Sequence, residues 1–490
     1  MEYREGGALN ITQLYLNHRN PFAIEEQPQN TYVYGFVYPL AVTPVANKFG
    51  NTLFVHRSFV YFFIWATCLL VFYVLIRKKV NFVFALAAVI ILHQSIINSA
   101  NTAVARPEGL GIFLLTLGII IPWRWNYSKA SLAASIVLGV AGYLTKPYYG
   151  LVIPIIGSYL FIFVSKRTSL YYIAASVMFG AVIIIITSLI YPLYINNTFV
   201  HHLNDSIYSY NHVKDQLAEY AEVNVFLILI IILSCILIFR KFLHRHLTET
   251  VEQLLQHLKE RFHLNSSFRI TENAPLVKTG YDLFFIFSLL FILFLFVIKL
   301  GGHPGNYHGA YLFHLVSPLL MILTFLLMEK TSNKIFKSFA AVLLVITMNV
   351  EFETPKYDFD RFTSCFKQME EIIKKSKNTL NSPESVSIMI QENKPVWNSG
   401  LSEYFEGDPN EQRILSVSSG TVSERMKKFR KETDDKIIRK EFDLILRTQN
   451  YDNYLINYNL LKQNYDLSKT ICAPFIYHNF QIETWIPKNK

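Results

Sequence analysis

Ser58-Phe-Val-Tyr-Phe-Phe-Ile-Trp-Ala-Thr-Cys-Leu-Leu-Val-Phe-Tyr-Val-Leu-Ile76 carries no charge and approaches the ~20 residues that a helix needs to cross the hydrocarbon of a bilayer. Arg77-Lys78-Lys79 follow at once. The same grammar recurs at Val225–Phe239 and Leu283–Ile298, two further uncharged apolar runs. Across 490 residues the apolar share is 52% and the charged share 17%, against about 25% in soluble domains. Mean hydropathy is +0.27. These observations exclude an ordinary soluble protein. They predict a mostly α, polytopic transmembrane helical bundle seated in a lipid bilayer.

Apolar runs of this kind lie near 58–76, 80–97, 109–122, 131–144, 150–165, 170–191, 225–239, 283–298, 311–328 and 335–350, which predicts about ten spans. Alternate loops carry Arg77-Lys78-Lys79, Arg124 and Lys129, Lys166-Arg167, Arg240-Lys241 with Arg245, and Lys330 with Lys334. The intervening loops hold little more than Arg106, Lys146, Lys214 and Lys299. Positive charge is retained on the cytoplasmic side, so the first set faces the cytoplasm. The net charge of +10 follows from that bias, and no nucleic-acid partner is expected. The chain then divides into an outer loop over 1–57, a bundle over 58–350 and an extracytoplasmic region over 351–490. An outer N-terminal stretch of this length with no signal peptide suggests that a first spanning helix normally precedes Glu2. The expected location is the cell membrane, plasma or inner, with several passes.

Within the cytoplasmic loop 240–281, Leu247, Val251, Leu254, Leu255, Leu258 and Phe262 recur at helical spacing, the pattern of an amphipathic interfacial helix. Past Glu351 the composition turns polar. Helices are predicted over Phe362–Lys375 and Lys427–Arg439, and strands over Ser385–Ile390, Ile414–Ser418, Phe442–Arg447 and His478–Ile486, a small α/β domain. Cys365 and Cys472 could pair only if that domain faces an oxidising compartment, and the reading leans towards leaving them unpaired. No cysteine or histidine spacing marks a zinc site.

The chemistry-bearing residues gather in the outward loops. Glu2 and Glu5 flank Tyr3 and Arg4, and a carboxylate there could take a proton from an attacking hydroxyl. On composition alone these are an ordinary acidic tail. Arg106 and Lys146 could each grip a phosphate, as a fork and as a point charge, or simply snorkel from helix ends. Lone cations where positive charge is otherwise scarce are candidates for function. Lys299 leads into Gly301-Gly-His303-Pro-Gly-Asn306-Tyr307-His308, in which His303, Asn306 and Tyr307 could contact phosphate or sugar hydroxyls.

Taken together, these stretches resemble the GT-C superfamily of membrane glycosyltransferases, which includes the dolichyl-phosphate-mannose protein mannosyltransferases and the bacterial aminoarabinose transferase. The resemblance rests on Arg4-Glu5-Gly6 with the helix-forming stretch after it, Tyr34-Gly35 with Tyr38-Pro39-Leu40, Phe49-Gly50 with Arg57, Ala105-Arg106-Pro107-Glu108, Thr145-Lys146-Pro147 and Gly305-Asn306-Tyr307 through Pro318. Arg4 stands where the family's commonest pattern has Asp, so either Glu5 serves alone or Glu2 replaces the missing acid. The resemblance implies transfer of a sugar from a polyprenyl-phosphate donor to an extracytoplasmic glycan, lipid or protein acceptor. Glu5, or Glu2, would be the base; Arg106, Lys146, Lys299, His303, Asn306 and Tyr307 would hold the donor. A divalent cation is left open. The rival expectations are a transporter or flippase of a lipid-linked or small solute, and a receptor whose outer domain binds a ligand.

Overall fold

The computed structural model describes residues 3–98, 104–195, 197–198, 208–241, 283–300, 310–331, 333–349, 359–399, 420–449, 456–472 and 481–488. The protein is mostly helical. Helix α1 (Tyr3–Leu16) and α2 (Val37–Phe49) precede the long α3 (Leu53–Arg77), which opens on Thr52, whose side chain accepts from the Val55 N–H. Then come α4 (Phe82–Asn98), α5 (Glu108–Arg124) and α6 (Lys129–Thr145). A 3-10 turn at Pro147–Leu151, α7 (Val152–Tyr159) and a π-helical turn at Leu160–Val164 form one apolar rod. Ser165 accepts from the Thr168 N–H and starts α8 (Lys166–Ile190), and α9 (Tyr210–Val223) meets α10 (Val225–Lys241) at an 80° bend. The bundle continues with α11 (Leu283–Leu295), extended by a π-helical turn to Leu300, then α12 (Ala310–Leu315), α13 (Ser317–Lys330) and α14 (Lys334–Asn349).

Helix covers most of each of the ten apolar runs. Against the ten spans expected, among the described residues four helices are long and apolar enough to cross a membrane, Leu53–Arg77, Pro147–Val164, Lys166–Ile190 and Leu283–Leu300, or five if the bent α9–α10 pair is one broken span. Their burial differs in an informative way. Helix α5 is enclosed along most of its length, from Glu108 to Pro122. Helix α8 instead turns Tyr171, Val177, Met178, Ile185 and Leu189 outward, and α3 does the same with Phe62, Trp65 and Leu69. A soluble monomer seldom exposes so much continuous apolar surface. Lipid chains are the solvent that makes such an outer surface stable, because there every backbone polar group is already satisfied within its helix.

The C-terminal part contains α15 (Phe359–Lys375), β1 (Thr379–Leu380), α16 (Val386–Gln391), α17 (Gly420–Ile438), β2 (Leu444–Thr448), α18 (Tyr458–Asn464), β3 (Tyr465–Cys472) and β4 (Gln481–Pro487). The strands form one sheet in the order β1-β2-β4-β3, with β1 and β2 parallel and the other pairs antiparallel. The helices expected over Phe362–Lys375 and Lys427–Arg439 and the strands expected at Phe442–Arg447 and His478–Ile486 are found, with shifted ends. Ser385–Ile390 is a correction. It is not a strand, because Pro383 begins a 3-10 turn that leads into helix α16. Its apolar run is buried all round instead of alternating, and α16 packs on α1 so closely that a Cβ on Gly6 would lie 2.7 Å from Cβ of Val386. The pairing of Cys365 with Cys472 is a second correction: the two are bonded, fastening α15 to β3. Ile414–Ser418 and most of the interfacial stretch 240–281 lie outside the described residues.

Leu9 of α1, Leu53 and Ala105 share one core with Met369, Ile373, Val386, Leu444 and Ile482, so the domain grips the end of the bundle at which α3 and α5 begin. Hydrogen bonds add to this grip. Gln29 Nε2 donates to the Val396 carbonyl at 2.7 Å, the Ser399 N–H to the Gln29 carbonyl at 2.9 Å, and Ser399 Oγ to the Thr31 carbonyl at 3.0 Å. Arg425 reaches the Ile24 carbonyl at 2.8 Å.

Candidate functional site

Glu5 lies in the first turn of α1 and is fully buried. A buried carboxylate needs partners, and Glu5 has a full set. Arg57, one turn into α3, grips it with both prongs, Nε to Oε1 at 2.9 Å and Nη2 to Oε2 at 2.8 Å. The backbone N–H of Ala105 donates to Oε1 at 2.8 Å. Burial alone would raise this carboxyl, but the Arg57 fork and charge together with the Ala105 N–H outweigh it and hold Glu5 below its ordinary value. Glu5 is therefore ionised at neutral pH.

Helix α1 is pinned a second time, one turn further on. Asn51 Nδ2 donates to the Leu9 carbonyl at 2.9 Å, and Asn51 Oδ1 meets His56 Nε2 at 2.9 Å. The other nitrogen of His56 meets the Tyr38 hydroxyl at 3.2 Å. Two adjacent residues of α3, His56 and Arg57, thereby set the height and the rotation of the helix that carries Glu5.

Ala105 leads directly into the second group of charges. Arg106 Nη2 lies 3.0 Å and Lys146 Nζ 2.8 Å from the same oxygen of Glu108, Oε1. All three side chains are almost wholly buried. Glu108 opens α5 just after Pro107, where a carboxylate is favoured by the exposed N–H groups of a first turn. Among the described residues its other oxygen, Oε2, has no hydrogen-bond partner. Tyr34 presents its ring to both cations, at 5.6 Å from Arg106 and 5.0 Å from Lys146, and Tyr148 covers Lys146 at 5.1 Å. His314 of α12 is buried within electrostatic reach of Glu108. Burial pushes Lys146 down to about 8; Glu108 opposes this and Arg106 adds to it.

Glu5, Arg57, Arg106, Glu108 and Lys146 therefore form one buried electrostatic unit joined through the Ala105–Arg106 backbone. Three cations face two carboxylates, and Arg4 stands close enough to act on Lys146 as well. Buried charges of this kind are stable only when paired, and here Glu5 and Glu108 each answer to cations from other parts of the chain. A narrow cavity of about 180 Å³ lies between α6 and α8, lined by Tyr143, Ile184, Thr187, Tyr194 and Ile195. Tyr194 packs edge-on against Phe22 and Phe36 of the outer loop.

Of the expected site residues, the structure brings Glu5, Arg106 and Lys146 together. Lys299 stands exposed in the turn after α11, and among the described residues no ion pair joins it to an acidic side chain. Glu2, His303, Asn306 and Tyr307 lie outside the described residues. Glu108 enters the sequence reading only as the end of Ala105-Arg106-Pro107-Glu108, and its place as the counter-ion shared by Arg106 and Lys146 is a finding of the structure. Tyr34 and the Glu5 clamp formed by Arg57 were missed as well; the signal was an aromatic beside glycine, and an arginine at a span entrance. Among the described residues no three His, Cys, Asp or Glu side chains gather as metal ligands, and Glu5 and Glu108 are held by cations. No family model, curated protein or solved structure matches the chain.

Proposed function

We propose that the protein is a membrane-embedded glycosyltransferase of about ten spans, with its charged cluster and C-terminal domain on the extracytoplasmic side of the cell membrane. It moves a sugar from a polyprenyl-phosphate donor to an acceptor hydroxyl on a glycan, lipid or protein. The observation that carries this reading is the meeting of the ionised Glu5, through Ala105, with the buried Arg106 and Lys146 at one lip of an apolar bundle. Arg106 and Lys146 hold the donor phosphate and stabilise the charge that grows on it as the glycosidic bond breaks. Glu5, oriented by Arg57, accepts the proton of the attacking hydroxyl. The apolar cavity between α6 and α8 accommodates part of the prenyl chain. The Cys365–Cys472 bond supports an oxidising side for the domain.

The test is transfer from a polyprenyl-phosphate sugar by the full chain carrying Glu5→Gln, Glu2→Gln or both. Loss of turnover with retained donor binding is expected for Glu5→Gln or for the pair. Unchanged turnover in the double variant removes the carboxylate from the mechanism. The 80° bend between α9 and α10 favours a second reading, a transporter of lipid-linked or small solutes, since broken helices mark many transporter sites. Net solute movement in proteoliposomes without sugar transfer supports that reading over the first.

A further inference from the structure

Two polar atoms of the buried cluster take no part in its ion pairs. One is Oε2 of Glu108, whose other oxygen meets Arg106 and Lys146 together. The second is the hydroxyl of Tyr32, a fully buried residue of the outer loop. Among the described residues neither atom has a hydrogen-bond partner, and the two do not bond each other. A polar atom buried in this way is costly to the fold, so each calls for a reason.

The two residues share one neighbourhood. The Tyr32 ring meets the Tyr34 ring edge-on at 5.6 Å, and Tyr34 covers Arg106 and Lys146, the cations that hold Glu108. Tyr32 lies within electrostatic reach of Glu108 and Arg106, and Tyr38 within reach of both Tyr32 and Glu108. The backbone on either side of Tyr32 is fixed. Ser399 Oγ donates to the Thr31 carbonyl at 3.0 Å, and Thr198 Oγ1 to the Tyr34 carbonyl at 3.4 Å. The Thr31 hydroxyl donates to Gln27 Oε1 at 3.0 Å. Tyr32 is thus firmly held, yet its hydroxyl serves no bond of the fold.

The chemistry of the two atoms is complementary. An ionised carboxylate oxygen only accepts, whereas a tyrosine hydroxyl can donate. One alcohol group donates to the first and accepts from the second, so it satisfies both at once. A phosphodiester oxygen has no proton to give the carboxylate, and an ammonium would be a third cation at Glu108. We propose that the Tyr32 hydroxyl and Glu108 Oε2 bind one ring hydroxyl of the sugar on the lipid donor, beside the phosphate held by Arg106 and Lys146. The ligand class rests on the sugar-transfer reading, and Glu108 becomes a sugar contact as well as a counter-ion.

The experiment measures binding to the full chain in nanodiscs, with no acceptor present. The probes are polyprenyl phosphate and its mannosyl, glucosyl and arabinosyl derivatives. Wild type is expected to bind one of the sugar-bearing lipids more tightly than bare polyprenyl phosphate. Tyr32→Phe breaks no hydrogen bond of the fold, so its melting temperature should not fall. It should nevertheless weaken that lipid about 5-fold, the worth of one neutral hydrogen bond, and leave bare polyprenyl phosphate unchanged. On wild type, the deoxy analogue that lacks the recognised hydroxyl should lose more than this, because Glu108 Oε2 loses its partner too. Equal binding of bare and sugar-bearing lipids by wild type, an unchanged sugar preference in Tyr32→Phe, or indifference of wild type to every monodeoxy analogue overturns the proposal. A sugar preference that Tyr32→Phe abolishes, in a protein that transfers nothing, sinks only the transferase reading. Transfer that goes on with the preference intact in Tyr32→Phe sinks only this subsite.

Discussion

Gly35 and Leu144 are pressed together where the outer loop crosses the end of α6: a Cβ on Gly35 would stand 1.7 Å from the Leu144 carbonyl oxygen. Only glycine lets the backbone approach so closely, and the approach is what lays the neighbouring Tyr34 ring beside Lys146. Gly35→Ala is expected to cost at least the 1–3 kcal/mol typical of overpacking, because the obstacle is backbone and does not swing aside (about 1–3 kcal/mol). It should also weaken donor binding by moving Tyr34 off the cations. A thermal melt and a binding titration with polyprenyl phosphate check both, and a variant unchanged in each would show the ring to be idle.

The Arg57 clamp makes a different prediction. Arg57→Ala strands a wholly buried carboxylate. Breaking such a pair costs about 3–5 kcal/mol, and the lower end applies here because the Arg57 side chain keeps 32% of its surface open. Pairing that change with Glu5→Gln removes the stranded charge and should recover most of the loss. Unfolding in mixed micelles measures the four corners of this cycle; additive losses would mean that the two residues are not coupled.

Lys146 ties the site to pH. Its ordinary value near 10.4 is brought down to about 8, so the folded protein sheds this proton while the unfolded chain still holds it. Phosphate affinity should therefore fall as pH rises through about 8. Stability should move the other way, rising between about 8 and 10.4, because there the unfolded state binds more protons. Lys146→Arg keeps its charge throughout and should abolish the alkaline fall in affinity. A fall at the same pH in that variant would assign it to another group.

The Cys365–Cys472 bond spans 107 positions of sequence. Disulfides typically contribute about 2–4 kcal/mol, and a loop this long lies at or above the upper end of that range. Cys365→Ser with Cys472→Ser, or reduction of the wild type, should lower the melting temperature. A membrane-impermeant maleimide added to intact cells should label the pair only after reduction. Labelling that requires permeabilised cells would put the domain on the other side.

What was legible beforehand follows from the range of each signal. The helices of the bundle could be read because an uncharged run such as Ser58–Ile76 has few other ways to satisfy its backbone. Glu5, Arg106 and Lys146 could be nominated because isolated charges between apolar runs are conspicuous. Glu108 was undervalued because its two partners come from different loops: Arg106 is visible two positions away, whereas Lys146 is 38 positions away. Ser385–Ile390 was misread because its four apolar residues, Val386, Ile388, Met389 and Ile390, fit a buried helix as well as a strand, and the turn begun by Pro383 together with the packing of Val386 on Gly6 decides between them. The disulfide was undervalued because two cysteines 107 positions apart carry no local pattern; the sheet brings their Cα atoms to 5.4 Å.

The tethers from Gln29 and Thr31 to Val396 and Ser399 bridge 367 and 368 positions of chain. The strip of protein that seats the carboxylate leaves the ribosome early, and the partners that close over it arrive only after every apolar helix has been threaded. The lip that holds Glu5 is consequently among the last parts of the molecule to be finished. A nascent chain interrupted before Val396 lacks these tethers altogether.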